Sequence, residues 1–290
     1  MTATSIFKLL LLGAIWGSSF LFMRAATPEF GVYALVEVRT VLATLFLAPF
    51  VLLRNQWRDV ITHWQHIAVI GVVNTAIPFC LFNYSSLHLE AGYNSILNAT
   101  APMFGALIAF AWLSDRLSRS AIIGLFIGFF GVTQLSWAKV SEGEVSFMPI
   151  ATALIATFCY GVAASYMKRY MSGIKPLAIA AGSQLFASIV LLPLAVLTWP
   201  ATSPSLDAWW QAITLAIACT GIAYILYFDL IANIGPARAI TVAYLVPLFG
   251  VIWGATFLSE RLSMPVYLGG ICILLGVALT NGLVSHCRKS

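Results

Sequence analysis

The stretch that decides the fold is PMFGALIAFAWLSDRLSRSAIIGLFIGFFGV, residues 102–132, because it returns as PLFGVIWGATFLSERLSMPVYLGGICILLGV at residues 247–277. The two copies are 145 positions apart and align without a gap. Each copy is an apolar run, a short polar turn and a second apolar run, and Asp115 in the first turn becomes Glu260 in the second. The pattern predicts two related halves, residues 1–145 and 146–290, that each end in the same pair of helices.

The composition predicts an integral membrane protein. Of the 290 residues, 61% are hydrophobic and only 9% are charged, whereas a soluble domain carries about 25% charged residues. A spanning helix needs roughly 20 apolar residues, so the length allows about ten helices with short connections. The apolar runs are continuous and do not alternate with polar residues, which excludes an outer-membrane barrel. The predicted fold class is therefore all-α and membrane-embedded.

Ten apolar runs are long enough to span the bilayer. They cover residues 6–26, 31–53, 66–87, 93–112, 120–138, 147–167, 176–198, 208–230, 237–258 and 264–284. The first run also has features of a signal peptide, because Lys8 precedes an apolar stretch. However, WGSSFLFMR at 16–24 aligns with YGVAASYMK at 160–168. A cleaved leader would have no reason to share the repeat, so we expect the first run to be a span.

The distribution of basic residues predicts the orientation. With a cytoplasmic N-terminus, 11 Lys and Arg residues fall on the cytoplasmic side and 3 on the opposite side. This bias predicts ten transmembrane helices with both termini in the cytoplasm, and it explains the net charge of +5 without nucleic-acid binding. Because each half has five spans, the halves are predicted to be inverted, with Asp115 at the cytoplasmic face and Glu260 at the other. Many secondary transporters that work by alternating access have this architecture.

The sequence carries no motif for catalysis, metal binding or a cofactor. It lacks the HExxH, GxSxG and P-loop patterns, and the missing P-loop argues against an ATP-driven pump. The five cysteines form no CxxC pair, so neither a disulfide framework nor a metal site is predicted.

Polar and aromatic residues inside the apolar runs indicate a central cavity, because such groups must face a partner or an aqueous space. Thr220, Tyr224 and Tyr227, for example, follow helical spacing. Amide, hydroxyl and aromatic groups together suit a small zwitterionic or amphipathic solute. The alternative is hydrogen bonding between helices, worth about 0.6 kcal/mol per bond. The cavity candidates are Trp16, Asn74, Asn83, Tyr84, Asn98, Tyr160, Tyr224, Tyr227 and Tyr244.

Three prolines inside the runs, Pro78, Pro102 and Pro247, are hinge candidates. A proline in a helix frees a backbone carbonyl and bends the helix, and such breaks persist in lipid only against protein or a cavity. Pro102 and Pro247 occupy matching positions of the repeat, which favours a role in motion over a packing kink.

Two titratable residues are candidates for proton coupling: Glu37 inside the second run and His88 at the end of the third. Arg39 lies two residues after Glu37, so the two side chains point in different directions on a helix and are not predicted to pair.

The family is indicated by the two proline-centred spans and their turns. The residues concerned are Trp16-Gly17-Ser18, Pro102, LSDRLS at 113–118, Gly124, Gly131, Pro247, LSERLS at 258–263, Gly269 and Gly276. With them the chain resembles the EamA-type branch of the drug/metabolite transporter superfamily, although Ser114-Asp115 and Ser259-Glu260 replace the common Gly-Glu. The resemblance implies two inverted five-helix halves and export of small metabolites from a bacterial cytoplasm. In general look the chain is most similar to YddG-like amino-acid exporters.

The sequence thus predicts a transporter of the bacterial inner membrane that exports amino acids, aromatic or otherwise neutral, through the cavity. Its predicted partners are the small-molecule substrate and membrane lipid, with proton coupling left open, and it is expected to be a monomer or a weak homodimer. A multidrug or nucleotide-sugar carrier is the alternative within transport, although Arg39 is the single basic residue placed within a span. An intramembrane enzyme or a receptor-like subunit is the alternative outside transport.

Overall fold

The structure, a computed structural model, describes residues 2–281 except 142 and 144, and this part of the chain is helical without strands. Arg288 and Lys289, which were counted as cytoplasmic, lie outside the described residues, as does the predicted end of the last span. The principal helices are α1 (Ala3–Phe30), α2 (Val32–Leu53), α3 (Trp64–Ser86), α4 (Ala91–Leu113), α5 (Arg119–Ser141), α6 (Phe147–Tyr170), α7 (Pro176–Leu197), α8 (Leu206–Ile234), α9 (Val242–Phe257) and α10 (Met264–Thr280).

Helices α1 to α8 contain 22 to 29 residues each and are long and apolar enough to cross a membrane. The chain is therefore a multi-pass membrane protein. Helices α9 and α10 are apolar but have only 16 and 17 residues, fewer than the roughly 20 of a full span. Their assignment as the ninth and tenth spans stays a prediction. A short helix, Pro236–Ala239, precedes α9, and another, Trp57–Thr62, lies between α2 and α3.

Three of the long helices are irregular. Helix α3 is π-helical over Gly71–Ala76, and α8 is π-helical over Ile217–Ile222. Helix α4 is divided into Ala91–Asn98 and Ala101–Leu113 by a turn. π-helical turns inside α-helices are frequently found at functional sites.

The local backbone conformation repeats with nearly the same offset as the sequence. The two π-helical stretches are 146 positions apart. Ser114 and Ser259, 145 positions apart, follow α4 and α9 in the left-handed conformation, with φ of 57° and 55°. A positive φ is uncommon for a residue other than glycine. The matched serines therefore show that the two polar turns share a specific shape as well as a sequence.

The packing of equivalent helices also matches. Helix α1 packs on α9, and α6 packs on α4. A Cβ added to Gly17 of α1 would lie 2.9 Å from the amide nitrogen of Gly250, and one added to Gly161 of α6 would lie 2.8 Å from that of Gly105. Small residues thus let both helix pairs approach closely.

Helices α5 and α10, which form the end of each half, pack against each other in opposite directions. Gly124 faces Gly276, and Gly131 faces Gly269, with an added Cβ on Gly131 only 2.7 Å from the carbonyl oxygen of Gly269. Their outer surface is apolar, and Phe126 of α5 is 76% exposed. Such a surface is suited to contact with lipid tails and would be unfavourable in water.

Candidate functional site

A cavity of about 600 Å³ lies among α1, α2, α3, α4, α6, α8 and α9. Its volume is in the range of small-molecule binding sites, roughly 300–1,000 Å³. Among the described residues, α5 and α7 contribute no side chain to its wall, and α10 contributes only the residue that follows its last turn, Asn281. The wall is thus built by helices from residues 1–145 and from residues 146–290, while α5 and the body of α10 pack outside it.

The cavity opens at one end of the helix bundle. Its wall extends to Leu113 at the end of α4 and to Lys168 near the end of α6, the side that the charge distribution predicts to be cytoplasmic. At the opposite end, polar contacts join the helices. Arg24 of α1 donates to the carbonyl oxygen of Ser86 at 2.8 Å, and Lys139 of α5 forms an ion pair of 2.7 Å with Glu90.

Glu260 makes a further contact at this opposite end. Its Oε1 accepts a hydrogen bond from the amide of Ala91 at 2.8 Å, and its Oε2 accepts one from the amide of Gly92 at 3.2 Å. The carboxylate therefore satisfies two of the free N–H groups at the start of α4 and lies at the positive end of its helix dipole. Asp115, which occupies the equivalent turn, instead accepts from Lys168 Nζ at 2.6 Å, and both of these side chains are exposed.

The deep part of the cavity holds a charge, on Arg39 of α2. The side chain is 7% exposed, and its Nε donates to Thr220 Oγ1 at 2.9 Å. Its Cζ lies 3.8 Å from the ring centroid of Phe79, a cation–π contact. Thr220 belongs to the π-helical stretch of α8, where its own hydroxyl donates to the carbonyl of Leu215 at 2.9 Å and satisfies it.

Aromatic rings form much of the remaining wall. The rings of Trp16 and Tyr227 have centroids 5.2 Å apart, and those of Phe82 and Tyr160 are stacked at 6.2 Å. Asn74, in the π-helical stretch of α3, also lines the cavity and is the residue 146 positions before Thr220. The two π-helical stretches thus each place one polar side chain on the cavity wall.

Most of the predicted cavity residues do line this space: Trp16, Asn74, Asn98, Tyr160, Tyr224 and Tyr227. Three others have different neighbours. Asn83 is buried, and its Nδ2 donates to the carbonyl oxygen of Val32 at 3.4 Å. The ring of Tyr84 packs edge-on against His88, and the hydroxyl of Tyr244 accepts from Asn281 at 3.0 Å.

The hinge and proton candidates occupy different environments. Pro102 lines the cavity in the first turn after the break in α4, Pro78 follows the π-helical stretch of α3, and Pro247 is buried inside α9. Glu37 is buried in α2, and its Oε2 has no hydrogen-bond partner among the described residues. His88 is exposed beyond the end of α3. Their roles in hinge motion and proton coupling stay predictions.

Several cavity residues are not among the sequence candidates: Ser19, Arg39, Lys168, Cys219 and Asn281. Thr220 also lines the cavity and is one of the polar residues that predict it, although it is not in the candidate set. A signal was present for Arg39, which is a charge eight residues into an apolar helix. The signal for Thr220 was its helical spacing with Tyr224. In the part of the chain that the structure describes, no group of three His, Cys, Asp or Glu side chains is placed to bind a metal ion.

The family comparison and the sequence comparison both find transporters. The model of the EamA-like transporter family matches residues 3–137 and again residues 147–282. A probable terminal-alkyne amino-acid exporter of Streptantibioticus cattleyicolor is 26% identical over 96% of this chain and 93% of its own. The inner membrane transporter YedA of Escherichia coli, itself uncharacterized, is 27% identical over 92% of this chain and 88% of its own. A crystal structure with 16% sequence identity matches the whole of both chains with a TM-score of 0.68, which supports the fold.

Proposed function

Because the chain belongs to the EamA-like transporter family, we propose that it exports neutral amino acids or similar small metabolites across the inner membrane of a bacterium. The observation that carries this proposal is the cavity of about 600 Å³ between the two halves, which is open at one end of the bundle. Its aromatic walls and amide groups suit an amphipathic solute. The similarity to an amino-acid exporter supports the substrate class.

The transport mechanism in this proposal is alternating access by two inverted five-helix repeats. Equivalent helices α5 and α10 pack in opposite directions, which is the relation expected when the second half is turned over relative to the first. The repeat then requires α9 and α10 to span as well, giving ten transmembrane helices. In this orientation α1 begins at the cytoplasm, and the cavity faces the cytoplasm.

In this proposal, the acidic residues of the two polar turns, Asp115 and Glu260, control which end of the cavity is closed. Glu260 caps the start of α4 at the closed end of the cavity. The equivalent of this helix start in the second half is Pro236–Ala239 at the open end. Asp115 does not cap it, because its carboxylate pairs with exposed Lys168 instead. In the outward-open state, the symmetry predicts the reverse arrangement. Asp115 would accept from the amide of Ala237, because Pro236 at the start of that helix has no N–H group, and Glu260 would release α4. Each carboxylate is thus a latch for one face of the membrane.

The experiment that tests the function is a counterflow assay in proteoliposomes with radiolabelled neutral amino acids. Saturable uptake that requires unlabelled substrate on the other side is expected. Absence of saturable flux for every neutral amino acid would overturn the substrate class. A multidrug carrier for organic cations is disfavoured, because the charged side chains among the described lining residues are Arg39 and Lys168, both positive.

Coupling to protons by Glu37 is part of the same proposal. The carboxyl group is buried within a span, and its Oε2 has no hydrogen-bond partner among the residues that the structure describes. Intramembrane carboxyl groups often take part in proton relays. Counterflow does not need a driving ion, whereas net export against a gradient does. Measuring both with and without a pH gradient therefore separates coupling from transport itself.

A further inference from the structure

The strongest unexplained feature of the cavity is the guanidinium of Arg39. It is buried on α2, yet no carboxylate among the described residues lies within ion-pair distance of it. A buried charge without an opposite charge is costly. In membrane proteins, ionisable residues inside the spans often mark the pathway of the substrate, and a bound anion would supply the opposite charge that Arg39 lacks.

The geometry leaves most of the donors of Arg39 available. A guanidinium has five N–H groups. The Nε donates to Thr220, and Nη1 has only a weak 4.0 Å contact with the sulfur of Met23. Phe79 covers one face of the group at 3.8 Å. The group is thus held in place by its Nε and one face, while its terminal nitrogens are left to bind a planar anion in bidentate fashion.

The surrounding side chains are those that a carboxylate site requires. Tyr160 and Tyr224 line the same cavity, and a tyrosine hydroxyl is able to donate to a second oxygen of the anion. The described lining includes no Asp or Glu, so nothing in the wall competes for the guanidinium. It also follows that an ammonium group would have to be held by amide oxygens or aromatic faces, as at Asn74 or Trp16.

We propose that Arg39 is the substrate-binding residue that anchors a carboxylate, so that the transported compounds are small carboxylic acids with an apolar body. This inference rests on the proposed function and narrows its substrate class, since it requires the acid group and treats the amino group as secondary. Amines and carboxamides of the same shape are therefore excluded as good substrates. A site built around a hydrogen-bonded polar group rejects analogues that lack it more strongly than a hydrophobic pocket rejects a change in size.

The first test uses the unmodified protein in detergent and measures equilibrium binding of a radiolabelled neutral amino acid, with phenylalanine as the first probe. Competition by phenylalanine and by 3-phenylpropanoate is expected in a similar concentration range. Phenylalaninamide and phenethylamine should need at least about 100-fold higher concentrations, because they lack the group that makes charge-assisted bonds. Equal competition by the amide, tighter binding of phenyl phosphate than of 3-phenylpropanoate, or no binding of any neutral amino acid would overturn the proposal.

The second test changes the protein. Arg39→Gln should raise the dissociation constant of 3-phenylpropanoate about 100-fold and change that of phenylalaninamide little. Arg39→Lys should raise the dissociation constant of 3-phenylpropanoate by an intermediate factor, because lysine keeps the positive charge but lacks the two parallel N–H donors of a guanidinium. Arg119→Gln is the matched control, since Arg119 is exposed at the start of α5. An unchanged acid-to-amide ratio in folded Arg39→Gln would contradict the proposal. Arg39-dependent binding without any flux in liposomes would instead contradict the transport function and leave the anion site intact.

Discussion

The prediction with the sharpest structural basis is that Glu260→Gln shifts the protein toward its outward-open state. In the structure the carboxylate accepts two backbone hydrogen bonds, at 2.8 and 3.2 Å, from the start of α4. Glutamine has nearly the same shape but keeps one acceptor and loses the charge. Hydrogen bonds to charged groups contribute about 1.5–3 kcal/mol and neutral ones about 1. Replacing two charged bonds by one neutral bond should therefore destabilise the state seen in the structure by about 2–5 kcal/mol. Because Glu260 is only partly buried, we expect the lower end, about 2 kcal/mol, which is a roughly 30-fold change in the ratio of the two states.

The assay is the rate at which an impermeant maleimide, added from outside, labels a variant in which Cys219 is the only cysteine. Cys219 lines the cavity and is 1% exposed, so labelling from outside requires outward opening. While the outward-open state is the minor one, the rate is proportional to its population, and Glu260→Gln should label about 30-fold faster.

The equivalent substitution at the other face should act in the opposite direction. Asp115→Asn removes the latch of the outward-open state, whereas the exposed pair with Lys168 contributes only about 0–1 kcal/mol to the present state. Labelling from outside should therefore become slower. The control is Asp207→Asn, an exposed residue in the first turn of α8. Equal labelling rates for Glu260→Gln and the parent would refute the latch, as would a change of the same sign in both latch variants.

Three other perturbations test the packing, the proton and the hinges. Gly161→Ala should lower the midpoint of thermal unfolding by several degrees, since its Cβ would lie 2.8 Å from backbone atoms of α4. Gly105→Ala should be tolerated because its Cβ would lie 3.9 Å from Gly161, and equal loss in both variants would contradict the packing. Glu37→Gln should abolish stimulation of net export by a pH gradient while counterflow persists, and retained stimulation would exclude Glu37 as the coupling group. Pro102→Ala and Pro247→Ala should slow counterflow with expression intact, and unchanged rates would remove these prolines from the mechanism.

The all-helical, multi-pass character of the chain was readily predicted because its signals are local. Long apolar runs define the helices, and the repeated polar turn predicts that equivalent helices end alike, as the left-handed Ser114 and Ser259 show. The wall of the cavity was predicted less completely, since helical spacing identifies a face only when the helix is regular. The π-helical stretches in α3 and α8 shift the register, and no sequence motif signals them. Asn83, Tyr84 and Tyr244 are polar and lie in spans, but their neighbours were set by tertiary packing.

Arg39 is visible in the sequence as a charge inside an apolar run, but the sequence predicts only that it does not pair with Glu37. The helical rule for side chains two apart separates them correctly: the structure pairs Arg39 with Thr220, 181 positions away. Sequence alone offers no means to choose such a distant partner. A charge in an apolar run nevertheless deserves to be treated as part of a site before any neighbour is assigned to it.

The acidic turns and the cavity differ in one respect that constrains the mechanism. An acidic turn, a π-helical stretch and close glycine contacts occur in each half, whereas the cavity charge of Arg39 has no basic counterpart in α7, the equivalent of α2. If Arg39 anchors the carboxylate, the same half holds the anion in both states. A ligand shifts a conformational equilibrium only by its difference in affinity for the two states. An anchor that moves with one half contributes little to that difference, so the direction of transport would follow the gradients of substrate and proton.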